Sequence, residues 1–176
     1  MIQKAYVTIK GTTPLLMHRF PLDPIEALEK RPPQEQAETA AYRDEKGNLY
    51  LPGVAVQRAL VGAAIFSKGK GRSTLQKPVA ACVLVSPDRI DLGTKEYKLD
   101  SRAVVVPATR GRIVRHRPRL DEWEASFDVE WDSVLLKETE IRRVLDDCGQ
   151  RVGLLDFRPE KKGSFGRFMV TKWEIE

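Results

Sequence analysis

Nine residues, "WEASFDVEW" from Trp123 to Trp131, alternate without interruption. Trp123, Ala125, Phe127, Val129 and Trp131 share one side; Glu124, Ser126, Asp128 and Glu130 share the other. A period of two over that length predicts a half-buried antiparallel strand, hence a sheet with one packed face and one wet face. Something apolar must cover the packed face, and two segments have the required three-to-four spacing. One is 54–66, "VAVQRALVGAAIF", with Val56, Ala59, Leu60 and Ala63 in phase. The other is 138–148, with Ile141, Val144, Leu145 and Cys148 on one stripe and Gly149 as the stop residue. Further strands are expected at "IQKAYVTIKG", at "VAACVLV" (79–85, read as a buried strand), along "EYKLDSRAVVVP" and "RGRIVRHRPRL", and at "RFMVTKWEI". Strand, helix, several strands, helix, strand is the order of an α+β, ferredoxin-like plan. Both helices then lie on one face of an antiparallel sheet, and the other face stays open for a ligand or partner.

A chain of 176 residues fits one domain spanning 1–176, with room for inserted lobes. Residues 20–47 have that character: acid-rich, proline-containing and weakly apolar, with short helices at "PIEALEK" and "EQAETAAYRD". Gly47-Asn48 marks the turn that restores regular structure. No apolar run approaches the ~20 residues of a membrane helix, so no membrane partner is expected. The two cysteines, Cys82 and Cys148, both sit in apolar patterns. They read as buried thiols in a reducing, cytoplasmic compartment.

Catalysis needs convergent groups, and the sequence offers few. His18 and His116 have no neighbouring carboxylate, no serine sits in a nucleophile elbow, and the Cys and His spacings hold no zinc. Asp23, in the loop after the first strand, is the one acid placed for metal-assisted cleavage. "KGKGRST" lacks the P-loop spacing and the late glycines make no dinucleotide fingerprint. The expectation is a non-catalytic protein without metal or cofactor.

Charge is more informative. The formal net charge is +5, and it is segregated. Residues 121–140 carry eight acids against Lys137 alone, whereas 110–119 hold five arginines and no acid. One strongly positive surface is expected. If "RGRIVRHRPRL" is extended, Arg115, Arg117 and Arg119 project from one face at roughly 6.6 Å intervals, close to the phosphate step of an extended strand. The alternative is a solvated edge strand guarded by charge. Arg110, Arg112 and His116 extend the cluster. A second basic loop, 67–77, carries Lys68, Lys70 and Arg72 between glycines. A third, "GLLDFRPEKKGSFGRF" (153–168), combines Arg158, Lys161, Lys162 and Arg167 with Gly163, Phe165 and Gly166. Glycines allow backbone N–H groups to approach phosphate, and the rings of Phe157 and Phe165 are candidate stacking faces, whereas Phe168 belongs to the core. A plain solvated hairpin is the competing reading of the same loop. The three basic segments together point to single-stranded nucleic acid.

Three pieces of the chain resemble one family, the RAMP superfamily of CRISPR effector complexes. "IKGTTPLLMHRF" is similar to its first strand and turn. "YLPGVAVQRALVGAA" resembles its Pro-Gly helix entry through Tyr50, Pro52, Gly53 and Leu60, with Val54-Ala55 in place of the usual serines. "GLLDFRPEKKGSFGRF" resembles its C-terminal glycine-rich loop, ending in Gly163, Phe165, Gly166 and Arg167. The resemblance implies an RRM-like fold of prokaryotic or viral origin. It implies a guide-RNA-binding subunit of an antiviral ribonucleoprotein that polymerises along its ligand or joins other effector subunits, with 20–47 and 86–118 as variable lobes or thumb. The chain is short for such a backbone subunit, which fits a stand-alone or virus-borne relative equally well. The family's processing endonucleases use an N-terminal histidine and its target-cleaving members an aspartate after the first strand. His18 and Asp23 are the positions that an endoribonuclease alternative would use. A third alternative is a protein-interaction subunit whose basic face meets an acidic partner.

Overall fold

The computed structural model describes the backbone of residues 1–176 and every side chain except that of Ile25. The long alternating strand, β8 (Glu124–Asp132), lies at the centre beside β1 (Ile2–Gly11), all antiparallel. β9 (Phe168–Ile175) flanks β1, and β4 (Leu84–Ser86) flanks β8. The resulting order β4-β8-β1-β9 is the ferredoxin-like arrangement. Ala125, Phe127, Val129 and Trp131 face inward with Ala5, Val7 and Ile9, all at most 2% exposed. Strand alternation sets this: one face of every strand is apolar, so only one register buries it.

The cover comes from α3 (Gly53–Ala63) and α5 (Glu138–Asp147). α3 buries Val56, Ala59, Leu60 and Ala63; α5 buries Ile141, Val144 and Leu145. At the start of α5 the Glu140 carboxylate accepts a hydrogen bond from the Lys137 backbone N–H at 2.8 Å, satisfying a donor the helix leaves free. Trp131 stacks on Trp173 of β9 with centroids 6.0 Å apart.

Two local expectations are overturned. Residues 79–85 are not one strand: Gln76–Cys82 forms helix α4, and only Leu84–Ser86 extends. Leu75, Val79 and Val83 are buried at intervals of four, a helical period hidden inside an apolar run too short to decide by composition. Gly149 is not a helix stop. It lies buried within a π-turn, Cys148–Val152, and Gly153 ends that turn with φ of 74°.

The cysteines differ as well. Cys148 is fully buried, which pushes its thiol far above the ordinary range, whereas Cys82 is only half-buried. A thiol reagent such as an aromatic disulfide is expected to modify one cysteine per native chain at neutral pH and both after denaturation. Two equivalents of rapid native labelling would contradict the burial of Cys148.

The remaining elements build one flank. β2 (Leu15–Leu16), β7 (Arg112–Leu120) and β6 (Lys98–Val105) form a second, three-stranded sheet, and β3 (Tyr50–Pro52) pairs with β5 (Arg89–Asp91). Residues 20–47 hold two short helices, α1 (Ile25–Glu29) and α2 (Pro33–Thr39). α2 packs on β7. The open face of the main sheet is not where the arginines go. Lys4 bridges Asp128 and Glu176 there, both at 3.1 Å, and Lys172 covers the Tyr6 ring.

Candidate nucleic-acid interface

β6 and β7 form a two-stranded ribbon in continuous register from Lys98↔Arg119 to Val105↔Arg112. Directly opposed residues share a face, so Asp100, Arg102, Arg115, Arg117 and Arg119 stand together. That face turns toward residues 153–167, and it is not the open phosphate ladder expected from the sequence. Arg117 is buried, 5% exposed, and its guanidinium is paired with Asp156. Arg119 bonds Asp121 at 2.6 Å and Asp100 at 3.4 Å. Arg102 bonds Asp100 at 2.8 Å and lies over the rings of Phe157 and Phe165, 5.1 and 4.6 Å from their centroids. The physical reason is compensation: arginines turned toward the glycine loop take carboxylates and aromatic faces in place of water. Arg115 is half-buried, and Arg110 and Arg112 lie exposed at the tip. Among the described residues these three have no ion-pair partner.

The glycine loop differs from a phosphate cradle in the same way. The Gly163 N–H donates to the Arg158 carbonyl at 3.0 Å, and the Gly166 N–H donates to the Pro14 carbonyl at 2.8 Å. Both donors are therefore spent inside the fold. The glycines serve close approach. A Cβ on Gly163 would strike the Phe157 carbonyl, and one on Gly166, where φ is 75°, would strike the Leu154 backbone. Phe157 and Phe165 meet edge to face at 5.4 Å beneath Arg102, so their rings are occupied rather than free for bases. Arg158 bonds the Leu155 carbonyl at 2.7 Å and Glu160 at 3.1 Å, and Arg167 bonds the Gln150 carbonyl at 3.0 Å. Lys161 and Lys162 remain exposed. Leu155, Phe157 and Lys162 all have positive φ without being glycine, which stores strain in this loop.

A cleft of about 410 Å³ opens between the loop and the start of α3. Val54, Ala55 and Arg58 form one wall; Leu155, Asp156 and Arg158 form the other, with His18 and Tyr42 at the rim. No side chain caps α3 there. His18 Nδ1 lies 3.3 Å from Asp156 Oδ2. Burial pushes the Asp156 carboxyl up, but the His18 hydrogen bond and the Arg117 charge prevail and hold it down at about 2. Asp156 thus ties the segment after β2, the ribbon and the glycine loop to one carboxylate. The contact is made through Nδ1, so the carboxylate can orient the imidazole for acid–base chemistry.

Several predicted residues lie elsewhere or act differently. Lys68, Lys70 and Arg72 are exposed on a loop closed by its own bonds, Gly69 N–H to the Ser73 carbonyl and Leu75 N–H to the Ser67 carbonyl, both 3.0 Å. His116 shares a 2.7 Å hydrogen bond with the Ser101 hydroxyl. Asp23 pairs with Arg31 at 3.1 Å. Among the described residues no group of three or more His, Cys, Asp or Glu side chains gathers to hold a metal. Sequence reasoning missed Asp156, Asp100, Arg102, Arg58 and Tyr42. The one available signal was Asp156 itself, a lone acid in "GLLDF" between apolar residues.

No protein-family model matches the chain, and no curated protein matches it. Solved structures do match its fold. One is a chain from a cryo-EM structure of the Type III-B Cmr-beta complex bound to cognate target RNA, with a TM-score of 0.60 and 10% sequence identity. The match covers 99% of this chain and 60% of that one, so this chain spans about three fifths of the other's length. At that identity the likeness is one of fold: an α+β, ferredoxin-type architecture.

Proposed function

We propose that the protein is a non-catalytic subunit that binds single-stranded RNA within a CRISPR-type or CRISPR-derived ribonucleoprotein. The carrying observation is the convergence of ribbon and glycine loop at Asp156, with Arg115 and the tip residues Arg110 and Arg112 on the ribbon, and Lys161 and Lys162 on the loop, without carboxylate partners among the described residues. The internally compensated arginines hold the seam together; the uncompensated cations are the ones that meet phosphate. A fold shared with a chain of the Type III-B Cmr-beta structure bound to cognate target RNA supports the same reading.

Four to six phosphate contacts imply a log–log salt slope of roughly −3 to −4 for a single strand. Raising salt from 50 to 200 mM then weakens binding about fifty- to threehundredfold, with little dependence on base sequence. Titration of a labelled 20-nucleotide RNA by fluorescence anisotropy measures this. The RNA is expected back at full length. A second reading draws on the His18–Asp156 pair: RNA cleavage with His18 as the acid–base group. Shortened RNA in the same titration favours it. Failure to hold RNA at 50 mM salt rejects both and leaves an acidic protein as the partner of this surface.

A further inference from the structure

The strap joining β2 to α1 exposes two large apolar side chains, Phe20 at 84% and Leu22 at 91%. Loose ends do not explain this. The Arg19 N–H donates to the Ala40 carbonyl at 2.9 Å, and the Met17 N–H donates to the Pro118 carbonyl of β7 at 2.9 Å. Beyond the tip, Asp23 pairs with Arg31 at 3.1 Å. Pro21 and Pro24 fix φ inside the strap. The tip is thus held from both sides while its apolar groups stand in water, an arrangement that folding alone does not reward.

The neighbours of Phe20 identify what it meets. Arg19 and Pro21 line a shallow groove against β7, with His18, Arg115 and His116. An apolar tip beside a cationic groove matches the two halves of an unpaired nucleotide: phosphate for the cations, a base face for the ring. An apolar protein partner would not require the arginines, and a phosphate alone would not require the ring. Phe20 also stacks on no other aromatic ring among the described residues, unlike Phe157 and Phe165.

We propose that Phe20 is a stacking platform for one unpaired base of a single strand that passes over Arg19 and Arg115, with Leu22 packing beside it. This rests on the RNA-binding reading above. Wild type and Phe20→Ala are compared on a labelled 20-nucleotide oligouridylate and on an abasic ribose–phosphate strand of equal length. Phe20→Ala is expected to weaken oligouridylate binding about five- to hundredfold, to leave the abasic strand unaffected and to keep the salt slope. Phe20→Trp retains the affinity. Because the side chain is exposed, neither change threatens the fold. The platform is overturned if Phe20→Ala binds oligouridylate within about twofold of wild type, if it loses as much on the abasic strand, or if it alters only self-association. Wild type holding neither strand removes the RNA-binding reading itself, an outcome distinguishable from loss of the platform alone.

Discussion

Asp156→Asn is expected to lower stability by about 3–5 kcal/mol, the cost of leaving a buried charge without its partner. Arg117 is 5% exposed and Asp156 is its carboxylate; its Nε already lacks a hydrogen-bond partner. Asparagine keeps the shape and removes the charge, so Arg117⁺ stays buried and uncompensated. For a chain of this length that corresponds to roughly 6–20 °C in Tm. The reverse change, Arg117→Met, costs less, because Asp156 is more exposed and keeps His18. The double variant recovers much of the loss, since an apolar replacement of a whole buried pair is often near neutral. The pH profile carries the same signature. Asp156 is held at about 2, below its ordinary value of 3.8, so its contribution is complete above about pH 4. It fades as pH falls through 2, and the gap between wild type and Asp156→Asn narrows there. Thermal melts at pH 7, 4 and 2.5 decide the matter. A variant within about 1 kcal/mol of wild type at pH 7 would show that the pair does not hold the seam.

What the sequence discloses about this molecule follows from the range of the forces involved. The β8 strand and the stripes of α3 and α5 are legible because alternation and helical period act between neighbours in the chain. The ferredoxin-like order follows, since few topologies cover one sheet face with two helices. The direction of the arginine row is not legible. Alternation puts Arg115, Arg117 and Arg119 on one face but does not say whether that face meets water. The answer lies with Asp156, 39 residues beyond Arg117, and with Asp100 on the paired strand. The glycines of 163–166 look like a phosphate cradle for a similar reason. Their N–H groups are claimed by Arg158 nearby and by Pro14 at the opposite end of the chain. Residues 79–85 fail more simply, because a seven-residue apolar run satisfies both periods. Phe20 shows the opposite limit. Its sequence neighbours are plain, yet only the anchoring of Arg19 and Asp23 distinguishes a presented ring from a loose one.

Because the interior arginines are compensated, loss of RNA binding should follow the uncompensated ones. Arg112→Glu with Arg115→Glu is expected to weaken RNA binding by at least about twenty-fivefold at 0.1 M salt. Each single-strand phosphate contact contributes a slope of about 0.7, hence about fivefold per contact at that concentration, and reversal adds repulsion to the lost attraction. The loss falls on all sequences alike, and the salt slope shrinks by about 1.4. Stability changes little, since Arg112 is exposed and neither residue has an ion-pair partner among the described residues. Glutamate at 115 lies opposite Arg102, so the ribbon gains a pair while the groove loses a cation. Arg119→Glu behaves in the opposite way. It sets a carboxylate beside Asp100 and Asp121, and its effect on binding arrives through a weakened fold. Anisotropy titrations alongside urea melts separate the two classes. If Arg112→Glu/Arg115→Glu binds RNA as wild type does, phosphate is not read by this ribbon, whatever else the cleft beside it holds.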